Sequence, residues 1–451
     1  MHEGSVYRYI EKPEHRIRDP IYGYIWINEN ERKIIDTAIY QRLRRIKQLA
    51  FTNYVYPAAE HSRFVHSLGV LQAATEIFQM LCHNNPILLT GEDEEKEIRE
   101  IVKVLRYAAL LHDIGHLPFS HASEKVLLKE EKKHEDIGSY IIRNYHEIRE
   151  VLERDKVEPE LISSIITGEH VPPKFELVKK IISGEFDADR TDYLLRDSYM
   201  CGVEYGRFDY ERFIHSFELQ KGNEGQWVIY IKDGNIHAVE ALVLARYHYY
   251  TQVVFHRTRR SFDKIFELYL EEKFKEERNK LLDENIDLDD FWLNFDDYFV
   301  MDKIKKDALA GDNFARILLR IEHLKPVYST KSHASEGEVV FAKRIKNALF
   351  KEGFKENEDF FSILLQQEIH KLTTSSDEGG SYEQRQKNMY DVISRQGEKL
   401  GNFLEHSSLL KKFQDPIKII YIYALSSKAE EIFKVINELK QSENEVSSVN
   451  I

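Results

Sequence analysis

The sequence predicts a mainly α-helical protein: a helical core, small β-hairpin elements and a mixed α/β lobe toward the C-terminus. Three observations predict it. Apolar residues recur at helical spacing through most of residues 31–328. Runs rich in β-branched and aromatic residues are short there, at 21–27 and 226–239. Beyond residue 329 small polar stretches interrupt the pattern, and strand candidates at 359–365 and 417–424 accompany a helix at 428–440.

The elements follow in order. IYGYIWI, at 21–27, reads as a strand. Asn28 or Asn30 can cap a helix over 31–50, drawn by Ile34, Ile35, Ala38, Ile39, Leu43, Ile46 and Leu49. Pro57 marks a loop. Val70, Leu71, Ala74, Ile77, Phe78 and Leu81 predict an amphipathic helix over 66–81, stopped at Asn84-Asn85-Pro86. The charged run 92–100 is a solvated helix start leading into 101–114, and Pro118 ends that helix. Helical patterns return at 135–153, 159–166, 175–183 and 189–200. In 226–239 two apolar runs flank Lys232-Asp233-Gly234-Asn235, a turn sequence that predicts a hairpin. Helix resumes over 241–280 and 309–328. STKSHASEG at 329–337 and SSDEGGSY at 375–382 read as loops or a boundary, and the last ten residues are expected to fray.

This divides the 451 residues into an N-terminal strand and helix (1–50), a core (51–328) and the mixed lobe (329–451). Hydrophobic residues at 42% and charged residues at 31% suit a globular protein with a real core. No apolar run approaches the roughly 18 residues of a membrane span, and the N-terminal stretch lacks a signal-type apolar region. Two cysteines, Cys82 and Cys201, make no disulfide framework, so a reducing cytoplasm is expected. A formal charge of -13 disfavours bulk nucleic-acid binding, although 64 Lys and Arg leave room for a local basic pocket.

The 19 histidines are more informative. Three segments concentrate them with carboxylates: His61-Ser-Arg-Phe-Val-His66, His112-Asp113-Ile-Gly-His116-Leu-Pro-Phe-Ser-His121, and Asp187-Ala-Asp189-Arg-Thr-Asp192-Tyr193-Leu-Leu-Arg-Asp197. Ala108–Leu111 should be buried and would deliver His112 and Asp113 to the end of a buried helix. An aspartate there is costly unless paired or bound to a metal. Imidazole plus carboxylate suits several divalent ions. His112 and His116 share a face if the turn persists through Gly115. A lone histidine is ordinarily structural; three with an aspartate within ten residues are not. In the third segment Asp189, Tyr193 and Asp197 fall on one helical stripe. A surface helix laced by ion pairs would show the same spacing, but Leu194 and Leu195 turn part of it to the core.

Together the segments resemble a family. The order H…HD…D, on His66, His112-Asp113 and Asp189, is similar to the HD-domain metal-dependent phosphohydrolases. The longer strings RDPIYGYI, IIDTAIYQRLRRIKQL, RFVHSLGV, HDIGHLPFSH, DADRTDYLLRDS and FDYERF closely resemble the deoxynucleoside triphosphate triphosphohydrolases, over about residues 18–263. These include bacterial enzymes and the core of the mammalian sterile-alpha-motif/HD-domain enzyme. The resemblance implies an HD-domain helical core and one divalent cation (Mg, Mn, Fe, Zn or similar) held by His66, His112, Asp113 and Asp189. The reaction implied is water attack on the α-phosphorus, releasing deoxynucleoside and intact triphosphate.

By the same resemblance His116, His121 and His134 surround the α-phosphate, and at least one acts as general acid toward the leaving 5′-oxygen. Glu124 and Glu135 would orient His121 and His134; the mammalian relative usually has Asp at the first position. Arg63, Arg190 and Arg246 would hold phosphates. Gln48, Tyr193 and Asp197 would meet the sugar, the ring leaving no room for a 2′-hydroxyl. Val254 stands where a sugar-stacking tyrosine is expected. A second cluster, Asp36, Gln41 and Arg44 with Arg212, His256 and Arg257, resembles a guanine-nucleotide effector site lying between subunits of a tetramer. Arg18 and His15 replace an Asn and a Lys of that pattern, and ordinary helix ion pairing would also account for Asp36–Arg44. A homo-oligomer is the expected assembly, with no membrane partner, and nucleic acid is not expected to be the main one.

Other readings compete. One is an HD phosphohydrolase for another nucleotide, a monophosphate or guanosine tetraphosphate. Another is a nucleotide sensor without turnover. A cyclic-dinucleotide phosphodiesterase would want a GYP signature, which this sequence lacks.

Overall fold

Helices carry most of the chain, as the periodicity predicts, and the strands form three small sheets of two, four and three strands. The computed structural model describes residues 13–84, 92–128, 132–222, 226–283, 285–372, 389–413 and 415–449.

β1 (His15–Asp19) pairs antiparallel with β2 (Gly23–Ile27). Asn28 caps α1 (Glu29–Asp36) in a reciprocal box with Glu31. The helix expected to run to residue 50 ends early. Thr37 is extended, its hydroxyl donating to Ile34 O and accepting from Tyr40 N, which offers the backbone an alternative to the helical ladder. A one-turn α2 (Ala38–Gln41) and two tight turns, Arg42–Arg45 and Ala50–Tyr54, follow instead.

α3 (Arg63–His83) corrects a second expectation. It is not amphipathic: every residue from His66 to Thr75 is buried, because neighbours cover it on all sides. α4 (Glu92–Leu111) packs along it and ends at Leu111, not at Pro118. The chain then turns sharply, with Ile114 N bonded to Leu111 O and His116 N to Asp113 O. Next come α5 (His121–Leu127), α6 (His134–Asn144), α7 (His146–Arg154), α8 (Pro159–Thr167), α9 (Glu176–Ser183) and α10 (Ala188–Cys201). The single helix expected at 135–153 is two, broken at an extended Tyr145.

Two glycines set the spacing of this core. A Cβ on Gly69 would fall 1.9 Å from Asp192 Oδ1, so only glycine lets α10 seat this close to α3. A Cβ on Gly115 would fall 2.1 Å from His134 O, so the turn after α4 lies directly on the start of α6.

After α11 (Tyr210–Ile214), the hairpin forms with a different partner from the one expected. β4 (Trp227–Lys232) pairs with the upstream β3 (Phe217–Lys221), whose Phe217 and Leu219 alternate inward. The Asp233–Asn235 turn leads into α12 (Ile236–Tyr249), whose core positions Val239, Leu242 and Val243 continue the apolar run at helical spacing. The helix expected over 241–280 is interrupted by a wide π-type turn, Tyr250–Val254, before α13 (Arg257–Lys273) and α14 (Lys275–Leu282). α15 (Asp297–Leu309) and the short α16 (Asn313–Leu318) precede a strand, β5 (Leu324–Ser329), where helix was expected. Pro326 has no N–H for a helical ladder.

β5 pairs with β9 (Ile417–Leu425), which also takes β6 (Phe360–Gln367). α17 (Glu336–Lys351) and the C-terminal helix Ala429–Val449 meet this sheet over a small second core that includes Val327, Ile345, Leu349, Ile422 and Ile432. β7 (Asp391–Ile393) runs parallel to β4 and, with β8 (Lys399–Asn402), extends the β3–β4 sheet. The loop expected at 375–382 lies outside the described residues. The last helix continues to Val449 rather than stopping at 440, and residues 450–451 lie outside the description. No described helix is long and apolar enough to cross a membrane.

Candidate metal centre and cavity

α3, the turn after α4, and α10 bring His66, His112, Asp113 and Asp189 together. His66 Nε2 lies 3.0 Å from Asp189 Oδ1 and 3.6 Å from Asp113 Oδ2. His112 Nε2 lies 3.3 Å from Asp113 Oδ1 and 4.0 Å from Asp189 Oδ1. The other ring nitrogens are spoken for. His66 Nδ1 is 2.8 Å from Asp192 Oδ2, and His112 Nδ1 is 2.8 Å from Ala109 O. Each Nδ1 therefore carries a proton, and each Nε2 faces inward, buried and without a hydrogen-bond partner. Ligand atoms of His66, His112 and Asp189 lie within 4.8 Å of one another. A carboxylate or carbonyl behind each histidine is the arrangement that orients metal-binding imidazoles.

The electrostatics ask for a positive charge at this point. Burial works against a charge on His66, yet the facing carboxylates of Asp189 and Asp192 raise it to about 10, so a cation at Nε2, whether proton or metal, is favoured. Asp189 is brought down to about 2 against its own desolvation, chiefly by His66. Asp113 is held well below the carboxylate range, against burial, by Arg63 and the flanking histidines. The donor set fits a divalent cation.

Asp113 faces a second group too. Its Oδ1 is 3.1 Å from His116 Nε2, and its Oδ2 accepts from Arg63 Nη1 at 2.6 Å. His112 and His116 do not share a face, because the chain turns between them: His112 joins the first group and His116 the second. Here Glu124 Oε1 is 3.2 Å from His116 Nδ1, 3.1 Å from His121 Nδ1 and 3.2 Å from His134 Nδ1. Glu135 Oε2 adds a 3.3 Å contact to His134. The His116 and His134 rings stack at 3.7 Å, so a proton on one opposes a proton on the other. Burial, Arg63 and His134 push His116 down to about 3, whereas Glu124 lifts His134 against its burial. Glu124 is driven low, against burial, by the three histidines. The cluster thus gathers three imidazoles around one carboxylate, an arrangement that can share a proton and whose ligand atoms also lie within 4.8 Å of one another.

Both groups open on one cavity of about 300 Å³. Its far wall carries Gln48, Tyr193, Asp197, Tyr249, Tyr250 and Val254. Asp189, Tyr193 and Asp197 do share a stripe of α10 facing it. Gln48 Oε1 is buried without a hydrogen bond. Asp197 is held from behind by His61 Nε2 at 2.8 Å and by the Tyr249 hydroxyl.

Two expected phosphate-binding arginines are placed elsewhere. Arg190 and Arg246 do not line the cavity; both are engaged by carboxylates beside it. Arg190 Nη1 donates to Asp187 Oδ2 at 2.7 Å and to Gly184 O, and Arg246 Nη1 donates to Glu185 Oε1 at 3.2 Å. Arg259, not expected, lines the cavity instead, with Nη1 bonded to Val254 O at 2.6 Å.

The expected effector residues form two surface groups. Gln41 Oε1 accepts from Arg44 Nε at 2.7 Å, Arg44 lies over the Phe64 ring at 3.5 Å, and Asp36 turns to Arg32. Arg212 on α11 is exposed, and His256 and the exposed Arg257 start α13. No contact between the two groups occurs among the described residues.

Several working residues were given no role by the sequence. Asp192 supports His66 and holds Arg196 through two hydrogen bonds, while Arg196 also reaches Asp19 at 2.8 Å. Asp192 and Arg196 both lie in the third segment, DADRTDYLLRDS, where their i,i+4 spacing was a further signal. His61 sits in the first segment, whereas Tyr249 and Arg259 had no signal at all. Between His116 and His121, Phe119 and Ser120 adopt left-handed φ values of 57° and 56°. For a residue with a Cβ this costs roughly 1–2 kcal/mol.

Comparison with known proteins agrees with this geometry. Residues 63–197 match the HD domain and residues 208–352 the HD associated region. An uncharacterized Bacillus subtilis protein, YwfO, is 39% identical over 249 residues, 55% of this chain and 53% of its own. Mouse deoxynucleoside triphosphate triphosphohydrolase SAMHD1 is 34% identical over 226 residues, covering 44% of this chain and 33% of that protein. The chain spans about half the length of curated relatives from Bacillus, Methanocaldococcus and Mycoplasma. Among solved structures, a hypothetical protein from Aquifex aeolicus superposes with a TM-score of 0.72 at 29% identity, covering 94% of this chain and 99% of that one. A Bacteroides thetaiotaomicron protein titled phosphohydrolase shares the fold, with a TM-score of 0.64 at 22% identity over 91% of this chain and 99% of its own.

Proposed function

This chain is an HD-domain protein, and on that premise we propose that it is a divalent-metal-dependent phosphohydrolase acting on deoxynucleoside triphosphates, with deoxynucleoside and inorganic triphosphate as products. The observation that carries the reading is the convergence of two buried, unengaged Nε2 atoms, on His66 and His112, with Asp189 and Asp113 at the wall of the cavity. When bound there, a divalent cation would supply Lewis acidity toward a phosphate oxygen and make a water more acidic.

The chain's own residues do the rest. Arg63 holds Asp113 and keeps one charge next to the phosphate position. His116, His121 and His134, sharing Glu124, hold the proton that the leaving 5′-oxygen requires. Tyr193 offers a ring face to the sugar, and Asp197, backed by His61 and Tyr249, offers an acceptor to its 3′-hydroxyl. Gln48 supplies a polar group at the same end.

A second reading, a nucleotide carrying fewer phosphates, draws support from Arg190 and Arg246. With both guanidiniums on Glu185 and Asp187, the cavity wall offers only Arg63 and Arg259 as fixed cations among the described residues. A triphosphate would have to draw the other two out. We further propose residues 51–328 as the catalytic unit and a homotetramer supported by the 329–451 lobe. Guanine-nucleotide control would act through Asp36, Gln41, Arg44, Arg212, His256 and Arg257, and a reducing cytoplasm would be the setting.

The test is a product analysis. Metal-loaded protein is incubated with each dNTP and NTP, with and without GTP or dGTP, and the products are resolved. Inorganic triphosphate with deoxynucleoside is the expected result. Monophosphate with pyrophosphate moves the assignment to another phosphohydrolase, and tight binding without product moves it to a sensor.

A further inference from the structure

The active-site turn is held from outside the HD domain. Asp297, the first residue of α15 in the associated region, is 4% exposed and takes part in no ion pair among the described residues. Its Oδ1 accepts from Phe119 N at 2.7 Å and its Oδ2 from Lys47 N at 2.9 Å. Phe119 lies between His116 and His121, and Lys47 immediately precedes Gln48. One carboxylate therefore spans the two segments that supply the proton cluster and the sugar end.

The path continues inward. Ser120 Oγ donates to Lys47 O at 2.7 Å and accepts from Arg63 Nε at 2.8 Å. Arg63 Nη1 then donates to Asp113 Oδ2. Phe119 and Ser120 are the two left-handed residues, and the turn keeps that shape only while its neighbours fix it. We propose that Asp297 is a positioning residue: it clamps the Phe119 and Lys47 amides so that Ser120 sets Arg63 against Asp113, fixing that carboxylate between the two histidine groups. The inference rests on the site reading given above and assigns the associated region a part in it.

The chemistry of the clamp is specific. Both oxygens of a carboxyl group, ionised or protonated, keep a lone pair that can accept from a peptide N–H. The amide of Asn presents one acceptor and turns its NH2 toward the other donor. Asp297→Asn should lower kcat for dNTP hydrolysis about 10- to 100-fold and leave KM within about threefold, since the loss is of alignment. Ser120→Ala should do the same. The double variant should be no worse than the poorer single one, because both break one path. Asp296→Asn, which removes the neighbouring ion pair to Arg45 but keeps the helix cap and the path, should keep the wild-type kcat. Multiplying single effects, or a wild-type kcat in Ser120→Ala, overturns the inference; the latter remains decisive if Asp297→Asn fails to fold. Amide hydrogen exchange on the Mn²⁺-loaded protein without nucleotide reads the clamp independently of the substrate. Asp297→Asn, or Ser120→Ala in its place, should speed exchange in peptides covering 45–50 and 116–123. Faster exchange confined to the neighbourhood of the substitution sinks the clamp, whereas wild-type protein inert toward dNTPs sinks only the substrate reading.

Discussion

The two histidine groups on either side of Asp113 support their rings in different ways. In the first, His66 and His112 send Nδ1 outward, to Asp192 and the Ala109 carbonyl, and leave Nε2 bare. In the second, His116, His121 and His134 turn Nδ1 onto a single carboxylate oxygen of Glu124. Both groups have the geometry to hold a cation; they differ in that the first backs each ring with its own acceptor, whereas the second gathers three rings on one carboxylate oxygen.

The comparison breaks if the groups prove interchangeable. The largest effect should come from His112→Ala with Asp113→Ala, which removes a first-group histidine and the shared carboxylate. Turnover should fall below detection and the protein should lose its metal on gel filtration, read by elemental analysis; turnover that persists places the chemistry elsewhere. Glu124→Gln should lower kcat about 10²- to 10⁴-fold while metal content stays at the wild-type level. Loss of metal in that variant would merge the two groups into one.

Asp192→Asn sharpens the other side. Weakening the support behind His66 should reduce metal affinity about 10- to 100-fold, measured by competition with a chelator. Part of the loss will appear as a lower Tm, because Arg196 keeps only Asp19 as a charged partner. An unchanged affinity would show that the Nδ1 partner does not matter.

The smallest effect concerns pH and the clamp. Burial pushes Asp297 up to about 7, with the Lys47 and Phe119 amides and the Lys47 and Arg42 charges pulling the other way. In the unfolded chain an aspartate titrates near 3.9. Between those values the folded state holds the extra proton, so this group's contribution to stability is full at the acid end and is lost as pH rises through 7. The stability difference between wild type and Asp297→Asn should thus grow as pH is lowered from 7 to 5, at about 1 kcal/mol per pH unit or less. Asp187, also pushed to about 7 by burial, is present in both proteins and cancels. A difference that stays flat over this range would mean that Asp297 is ionised throughout.

Much of this was legible in the sequence, for physical reasons that can be named. The helical class was, because periodicity reports burial directly. The residues that converge at the cavity were, because short strings keep them together or place them one helical turn apart. What escaped depends on approach through space. Thr37 and Tyr145 break helices through local backbone choices that apolar spacing does not encode. The β3–β4 pairing was hidden because the Lys232–Asn235 turn sequence looks equally suited to reversing the chain and to starting a helix. Asp192 reaches His66 only because Gly69 has no side chain, and Tyr249 reaches Asp197 across more than fifty residues. Arg190 and Arg246 look like phosphate ligands until Glu185 is seen between them.

The parallel pairing of β4 with β7 has a consequence for biosynthesis. Tyr230 waits for Asp391 as its neighbour, so the sheet behind the α9–α10 region stays unfinished until residues 391–393 have left the ribosome. Until then β4 exposes a bare hydrogen-bonding edge, and a nascent or truncated chain ending before residue 391 would be prone to cross-chain association there.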